Sequence, residues 1–457
     1  FYQYATGGWQ AKNPLKPEHS SYNMFNVLSD NNEIRINELF TQMTKENPAK
    51  GTVNQKIADL YKLGLDSVRL NKEGAAPVKA ELKTILSLDK KEQLTPILSV
   101  MQLTSSSPLF SFGPQADLKD SKVNALYIGQ SGIGMGDRDY YLDAENESIR
   151  EAYKTYLNRL FTLAGLEESE AGKATDAVMR IETELAKNMR SNVELRDIQR
   201  MYNPMTTADL KKNYDAIDWA QLFAFSGINP ERVIVCQPEY MEALNKLIET
   251  TPIEDLRYYL ASQYLNAAAP YMDDNFYAPA LHSHGAASFD FYGRTMSGKQ
   301  EPRPRWKRAM AIPNSALGEA VGEMYVEKFF PAEDKARMMT LVENLRTALG
   351  QHIDQLDWMS DSTKMRAREK LAAFRVKIGY PDKWKDYSTL EIDPTLSYWE
   401  NIQRASEWAT RDALAKTDKP VDPEEWHMTP QTVNAYYNPT TNEICFPAAI
   451  LQPPCFN

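Results

Sequence analysis

Apolar residues return at helical spacing along most of this chain. Leu341, Leu345, Leu349, Ile353 and Leu356 recur every three or four residues and define one face of a helix. A second helix is expected to start at Ser362, a capping residue, and to carry Leu371, Phe374 and Ile378 on one side. Gly379 would follow its last turn, and Pro381 blocks continuation. Such helices are expected to bury their apolar faces, because packing rather than propensity supplies most of their stability. Turn-forming residues gather at 46–53, 103–117 and 281–304. Between residues 52 and 280 the pattern is almost wholly amphipathic helix, which suggests a helical unit inserted between two parts of another domain.

The pattern changes period late in the chain. Val433-Asn434-Ala435-Tyr436-Tyr437 and Glu443-Ile444-Cys445-Phe446 flank Asn438-Pro439-Thr440-Thr441-Asn442, predicting a hairpin with a five-residue loop. Val433, Ala435 and Tyr437 should face one way, Asn434 and Tyr436 the other, and Pro447 should end the second strand. A strand with a free edge can accept an extended peptide, and a side-chain amide such as that of Asn434 can hold its register. By spacing alone, Asn434 reads equally as an ordinary polar residue on a solvent-facing strand.

Composition narrows the classes. The chain has 457 residues, 42% of them hydrophobic and 25% charged, as in globular proteins of two or three domains or of one large domain with an insertion. A net charge of −10 argues against a nucleic-acid partner. No run of 18 apolar residues suggests a membrane span. Cys236, Cys445 and Cys455 are too few for a disulfide framework, although a Cys445–Cys455 bridge is conceivable.

Candidate chemistry is sparse. None of His19, His282, His284, His352 and His427 opens a His-Glu-x-x-His zinc motif. His282-Ser283-His284 offers two ligands but reads as a polar loop, and His352, beside an apolar helix face, reads as a partly buried histidine. Gly132-Ile133-Gly134-Met135-Gly136 leads into Asp137 and Asp139, whose charges would repel phosphate, so it reads as a structural turn. Glu182 with Glu184, or Asp137 with Asp139, supplies the carboxylate pairs that any acidic chain contains.

More specific blocks lie beside these patterns. The run Val433-Asn434-Ala435-Tyr436-Tyr437-Asn438-Pro439, then Asn442-Glu443-Ile444, then Phe446-Pro447-Ala448-Ala449-Ile450-Leu451-Gln452-Pro453-Pro454 closely resembles the substrate-strand region of the neprilysin family, the M13 metallopeptidases. Phe1-Tyr2-Gln3-Tyr4-Ala5-Thr6-Gly7-Gly8-Trp9, Arg305-Trp306-Lys307-Arg308 and Ile378-Gly379-Tyr380-Pro381 are similar to further blocks of that family, in the same order.

The resemblance implies a mainly α fold with a small β component (α+β), in two lobes. Residues 1–45 and 305–457 would build an incomplete catalytic lobe, and residues 46–304 a helical lobe covering an internal chamber. It implies a zinc-dependent endopeptidase of short oligopeptides, cutting next to large apolar residues. Asn434 and Ala435 would hold the substrate strand, and Phe25 and Ile450 would line the pocket for the residue after the scissile bond. Cys455 stands where the family usually has a phenylalanine, which should reshape that pocket.

Thr6 and Ala309 replace disulfide cysteines of secreted animal relatives, so the chain resembles the cysteine-poor bacterial oligopeptidases, with a periplasmic or exported location implied. Ser20-Ser21-Tyr22-Asn23-Met24 offers no arginine for a substrate's free carboxylate, which points to endopeptidase action. The family's zinc ligands and catalytic groups are expected beyond Asn457, on a C-terminal remainder of the same protein. Within this chain no catalytic residue or metal ligand is assigned, and its partners are peptides and that remainder. The competing reading is a noncatalytic peptide-binding or scaffold protein that uses the same cleft.

Overall fold

A computed structural model describes residues 1–277 and 288–456. Helices dominate, and they collect around two hydrophobic cores. The larger core draws on the helices Leu94–Thr104, Glu147–Ala164, Glu168–Asn188, Pro238–Thr250 and Ile253–Ala268, among others. Their sequences explain the packing. On Glu168–Asn188, Ala171, Ala174, Val178, Ile181 and Leu185 share one buried face, and the small residues let the neighbouring helices approach closely.

A four-stranded sheet lies within this half. Its strands are β1 (Phe110–Ala116), β2 (Asn124–Gln130), β3 (Pro204–Thr206) and β4 (Arg232–Val235), in the order β1-β2-β4-β3. Only β2 and β4 run parallel. The helical pattern expected here concealed this sheet, and the loop expected at 103–117 contains β1. Pro114 misleads because β1 is an edge strand, where a missing N–H is tolerated. The glycine-rich segment after β2 is a turn, as expected. Gly132 has φ +95°, and a side chain there would collide with the Tyr259 hydroxyl and the Leu109 backbone.

The second core is built from Met24–Glu46, Val53–Leu65, Arg305–Ala316, Gly318–Phe329 and Ala332–Gln355, together with Ile378 and residues 448–451. Asn23 starts the first of these helices with a capping box to Asn26. The helix Val53–Leu65 packs here, against Arg305–Ala316, rather than in the larger core. The helix Tyr398–Leu414 touches both cores: Trp399 and Leu414 enter the first and Ala405 the second.

Three expectations change in this half. The second predicted helix is capped by Ser360, not Ser362, and ends at Ala372. Residues Arg375–Gly379 form strand β5 instead, because they pair in parallel with the later strand at 443–447. The face carrying Leu341, Leu345 and Leu349 is not buried; those side chains are 45%, 62% and 51% exposed, and His352 beside them is exposed too. No described helix is long and apolar enough to cross a membrane. Cys236, Cys445 and Cys455 are all free thiols, with Cys445 buried and Cys455 exposed.

Candidate functional site

Strands β6 (Tyr436–Asn438) and β7 (Glu443–Pro447) form the predicted hairpin, and the small sheet has the order β5-β7-β6. The first strand is shorter than its sequence suggested. Tyr436 pairs with Cys445, so the same register would set Asn434 opposite Pro447, which has no N–H to donate. The ladder therefore ends at Tyr436, and the loop is four residues, 439–442. Residues 432–435 turn instead: the Asn434 N–H donates to the Thr432 carbonyl at 3.0 Å, and the Asn434 Oδ1 accepts from the Ala435 N–H at 2.9 Å. Asn434 is exposed and Ala435 half-buried, beside an edge strand.

Alternation along β7 separates two faces. Glu443, Cys445 and Pro447 are buried. Lys377 on β5 reaches under this face, its Nζ 2.8 Å from Glu443 Oε2 and 2.6 Å from the Glu425 carbonyl oxygen. The Tyr436 hydroxyl donates to the other Glu443 oxygen at 3.0 Å. Burial pushes the Cys445 thiol up to about 12, so it stays protonated and inert. On the opposite face, Tyr437, Ile444 and Phe446 join Leu345, Leu349 and Phe374 around an apolar groove of about 370 Å³.

The helix Met24–Glu46 is tied to both ends of this region. Asn32 donates to the Gln431 carbonyl at 2.7 Å, and Arg35 donates to Gln452 Oε1 at 2.7 Å. Phe25, 59% exposed, lies in the first turn of that helix. Ile450 is half-buried against the second core, and Cys455 is exposed beyond Gln452. The fold thus ties Phe25's own helix to the segments that precede Asn434 and follow Ile450.

Among the described residues, one group of three potential metal ligands occurs: Glu18, His19 and Asp30. It does not fit a zinc site, because two ammonium groups already hold its oxygens. Lys307 Nζ lies 2.7 Å from Glu18 and 3.1 Å from Asp30, and Lys16 also pairs with Asp30. Burial would raise the Asp30 carboxyl, but these lysines outweigh it and hold it at about 2. His282 and His284 lie outside the described residues. Glu182 and Glu184 form no catalytic pair: Glu182 is buried under Tyr141 and Tyr153, whereas Glu184 faces outward to Lys187.

Sequence reasoning missed the Lys377–Glu443 pair and the Lys307 cluster. A signal existed for the first, since Lys377 alternates with Val376 and Ile378 as a strand residue does. For the second none did, because Lys307 meets the carboxylates at residues 18–33 only through the fold.

Comparison with known proteins agrees with this architecture. Sequence models of peptidase family M13 match residues 1–381 and 434–457. An endothelin-converting enzyme homolog of Locusta migratoria is 30% identical over 488 residues, spanning 100% of this chain and 65% of that protein. Endothelin-converting enzyme 1 of Homo sapiens is 30% identical over 479 residues, with 60% of its length covered. The chain therefore spans less than two thirds of these curated relatives. The zinc metalloprotease Zmp1 of Mycobacterium tuberculosis, crystallised with an inhibitor, superposes with a TM-score of 0.92 at 36% identity, covering 99% of this chain and 67% of that one. PepO from Lactobacillus rhamnosis gives 0.89 at 26% identity, covering 100% and 71%.

Proposed function

Because this chain belongs to peptidase family M13, we propose that it supplies the substrate strand and part of the specificity pocket of a zinc-dependent endopeptidase acting on short oligopeptides. The observation that carries this reading is the Asn434–Ala435 segment beside edge strand β6, which lies outside the β6–β7 ladder and bonds only within residues 432–435 among the described residues. An extended peptide adds there by main-chain hydrogen bonds, while the Asn434 amide fixes its register. Phe25, Ile450 and Cys455 then shape the pocket for a large apolar side chain after the scissile bond. Residues 1–45 with 305–457 act as the catalytic lobe, joined by the helix Val53–Leu65 that packs into the same core, and the rest of 46–304 acts as the lobe that limits peptide size.

No residue of this chain is assigned to zinc. The metal and the groups that act with it belong, in this proposal, to a remainder beyond Asn457. The exposed apolar groove beside β6 and β7 supports a seat for that remainder, since an uncovered apolar surface of this kind favours burial.

The test uses the whole protein and an internally quenched peptide with phenylalanine or leucine after one central bond. Cleavage at that bond, abolished by 1,10-phenanthroline and restored by zinc, is the expected result. Peptide that binds but stays intact in zinc-loaded protein would overturn the proposal and favour a binding protein.

A further inference from the structure

Where the chain passes between its two cores, a cavity of about 200 Å³ opens, lined by Tyr271, Tyr277, Tyr398, Arg303, Arg305 and Arg308. Two of the three guanidinium groups are committed. Arg303 pairs with Glu33, and Arg305 pairs with Asp274, whose second oxygen accepts from Asn71 at 3.0 Å. Arg308 is different. Its Nε donates to the Arg303 carbonyl at 3.1 Å, and its guanidinium lies over the Tyr277 ring, 4.2 Å from the centroid. Its two terminal nitrogens meet no acceptor among the described residues.

The surroundings sharpen this imbalance. Burial, with the neighbouring Arg305 charge, pulls the Arg308 pKa below its ordinary value. The Tyr398 side chain is buried at 5% exposure, and neither its hydroxyl nor that of Tyr271 donates to a described acceptor. A guanidinium has five donors and no acceptor. Among the described residues the wall therefore presents surplus donors between aromatic faces, and the one carboxylate that acts on Arg308, Asp274, is already paired with Arg305.

We propose that this cavity binds a small oxyanion, a phosphate or a carboxylate, between the Arg308 fork and the tyrosine hydroxyls. A planar guanidinium recognises two oxygens of either group at once. The volume suits an inorganic anion or a short carboxylate and is below the ~300–1,000 Å³ of ordinary ligand pockets, which excludes a peptide. Gly64, Leu70, Pro270, Ala309 and Ala311 complete the wall, so a bound anion braces segments that are far apart in the chain. This inference is independent of the peptidase reading.

The experiment is calorimetric titration and thermal unfolding of the whole protein with inorganic phosphate and, separately, succinate, at ionic strength held constant with sodium chloride. Saturable one-site binding of either anion is expected, with Tm rising by roughly 2–4 °C at an anion concentration about 100 times Kd. Saturation by phosphate alone assigns a phosphoryl ligand, and saturation by succinate a carboxylate. Arg308→Met should weaken binding by at least about tenfold, and Tyr398→Phe, which keeps the charge, by about fivefold. No saturable response beyond the chloride control would overturn the proposal, as would Arg308→Met binding as tightly as the parent protein. If Arg308→Met does not fold, unchanged affinity in Tyr398→Phe is the overturning result.

Discussion

Lys377 and Glu443 bond directly across β5 and β7, Nζ to Oε2 at 2.8 Å, with both side chains buried. The pair sits under the strand next to β6, so it fixes the platform on which the candidate substrate strand lies. Removing one partner leaves a buried charge without compensation, a loss of about 3–5 kcal/mol. Lys377→Met should therefore lower the urea midpoint strongly. Lys377→Met with Glu443→Gln should recover much of the loss, because the remaining groups are then neutral. If the single variant unfolds at the parental midpoint, the pair is not a structural tie.

Glu182 makes the opposite electrostatic argument. Tyr141 donates to one of its oxygens at 2.6 Å, and Tyr153 and Gln263 to the other at 3.2 and 3.0 Å. Burial nevertheless dominates and lifts the carboxyl from 4.5 to about 7. In the unfolded chain it ionises near its ordinary value. Below that value it is protonated in both states, and its contribution to stability is fully present. As pH rises toward 7 the folded state resists ionisation, and stability falls by about 1.4 kcal/mol per pH unit, about 3 kcal/mol in all, then levels off. Glu182→Gln should flatten this slope in thermal scans taken between pH 4.5 and 8. An identical slope in parent and variant would show that another group carries it.

Much of the fold could be read from the sequence where a local signal and the tertiary environment agree. The apolar spacing on Ala332–Gln355 is helical, and the hairpin at 436–447 falls where alternation and turn residues placed it. The misses have physical causes. Phe374 and Ile378 fit a helical face as well as a strand, and only parallel pairing with β7 decides for the strand. Ser360 and Ser362 are equally good caps by type, and backbone geometry selects the first. Periodicity also says which residues share a face, not what covers it, so the exposure of Leu345 and Leu349 was not legible. Glu182 did carry a signal: it lies on the stripe of Val178, Ile181 and Leu185, where a carboxylate should not be.

The substrate-strand proposal turns on Asn434, whose side chain accepts, among the described residues, only from the adjacent Ala435 N–H. Exposed and clear of the cores, it contributes little to folding, so Asn434→Ala should leave Tm within about 1 °C of the parent. Loss of one or two amide hydrogen bonds to a bound peptide should reduce kcat/KM by roughly 10–100-fold, with zinc content unchanged. Steady-state kinetics and metal analysis of the same preparation decide this. Parental kinetics would remove Asn434 from the site.

The apolar groove gives the last prediction. Leu345 and Leu349 on Ala332–Gln355 line the same groove as Tyr437, Ile444 and Phe446, with Arg346, Lys370 and Asn442 also among its lining residues. If a further part of the protein seats there, each leucine is buried in the whole protein and contributes about 1.5–3 kcal/mol. Leu345→Glu with Leu349→Glu would then place two unpaired charges in an apolar contact and cost more than the sum of those terms. The expected result is a whole protein that unfolds many degrees lower and loses peptide turnover. If the groove instead faces water, both substitutions are surface changes of about 0.5 kcal/mol or less. An unchanged Tm in the double variant would therefore mean that the groove is not the seat of the remaining catalytic groups.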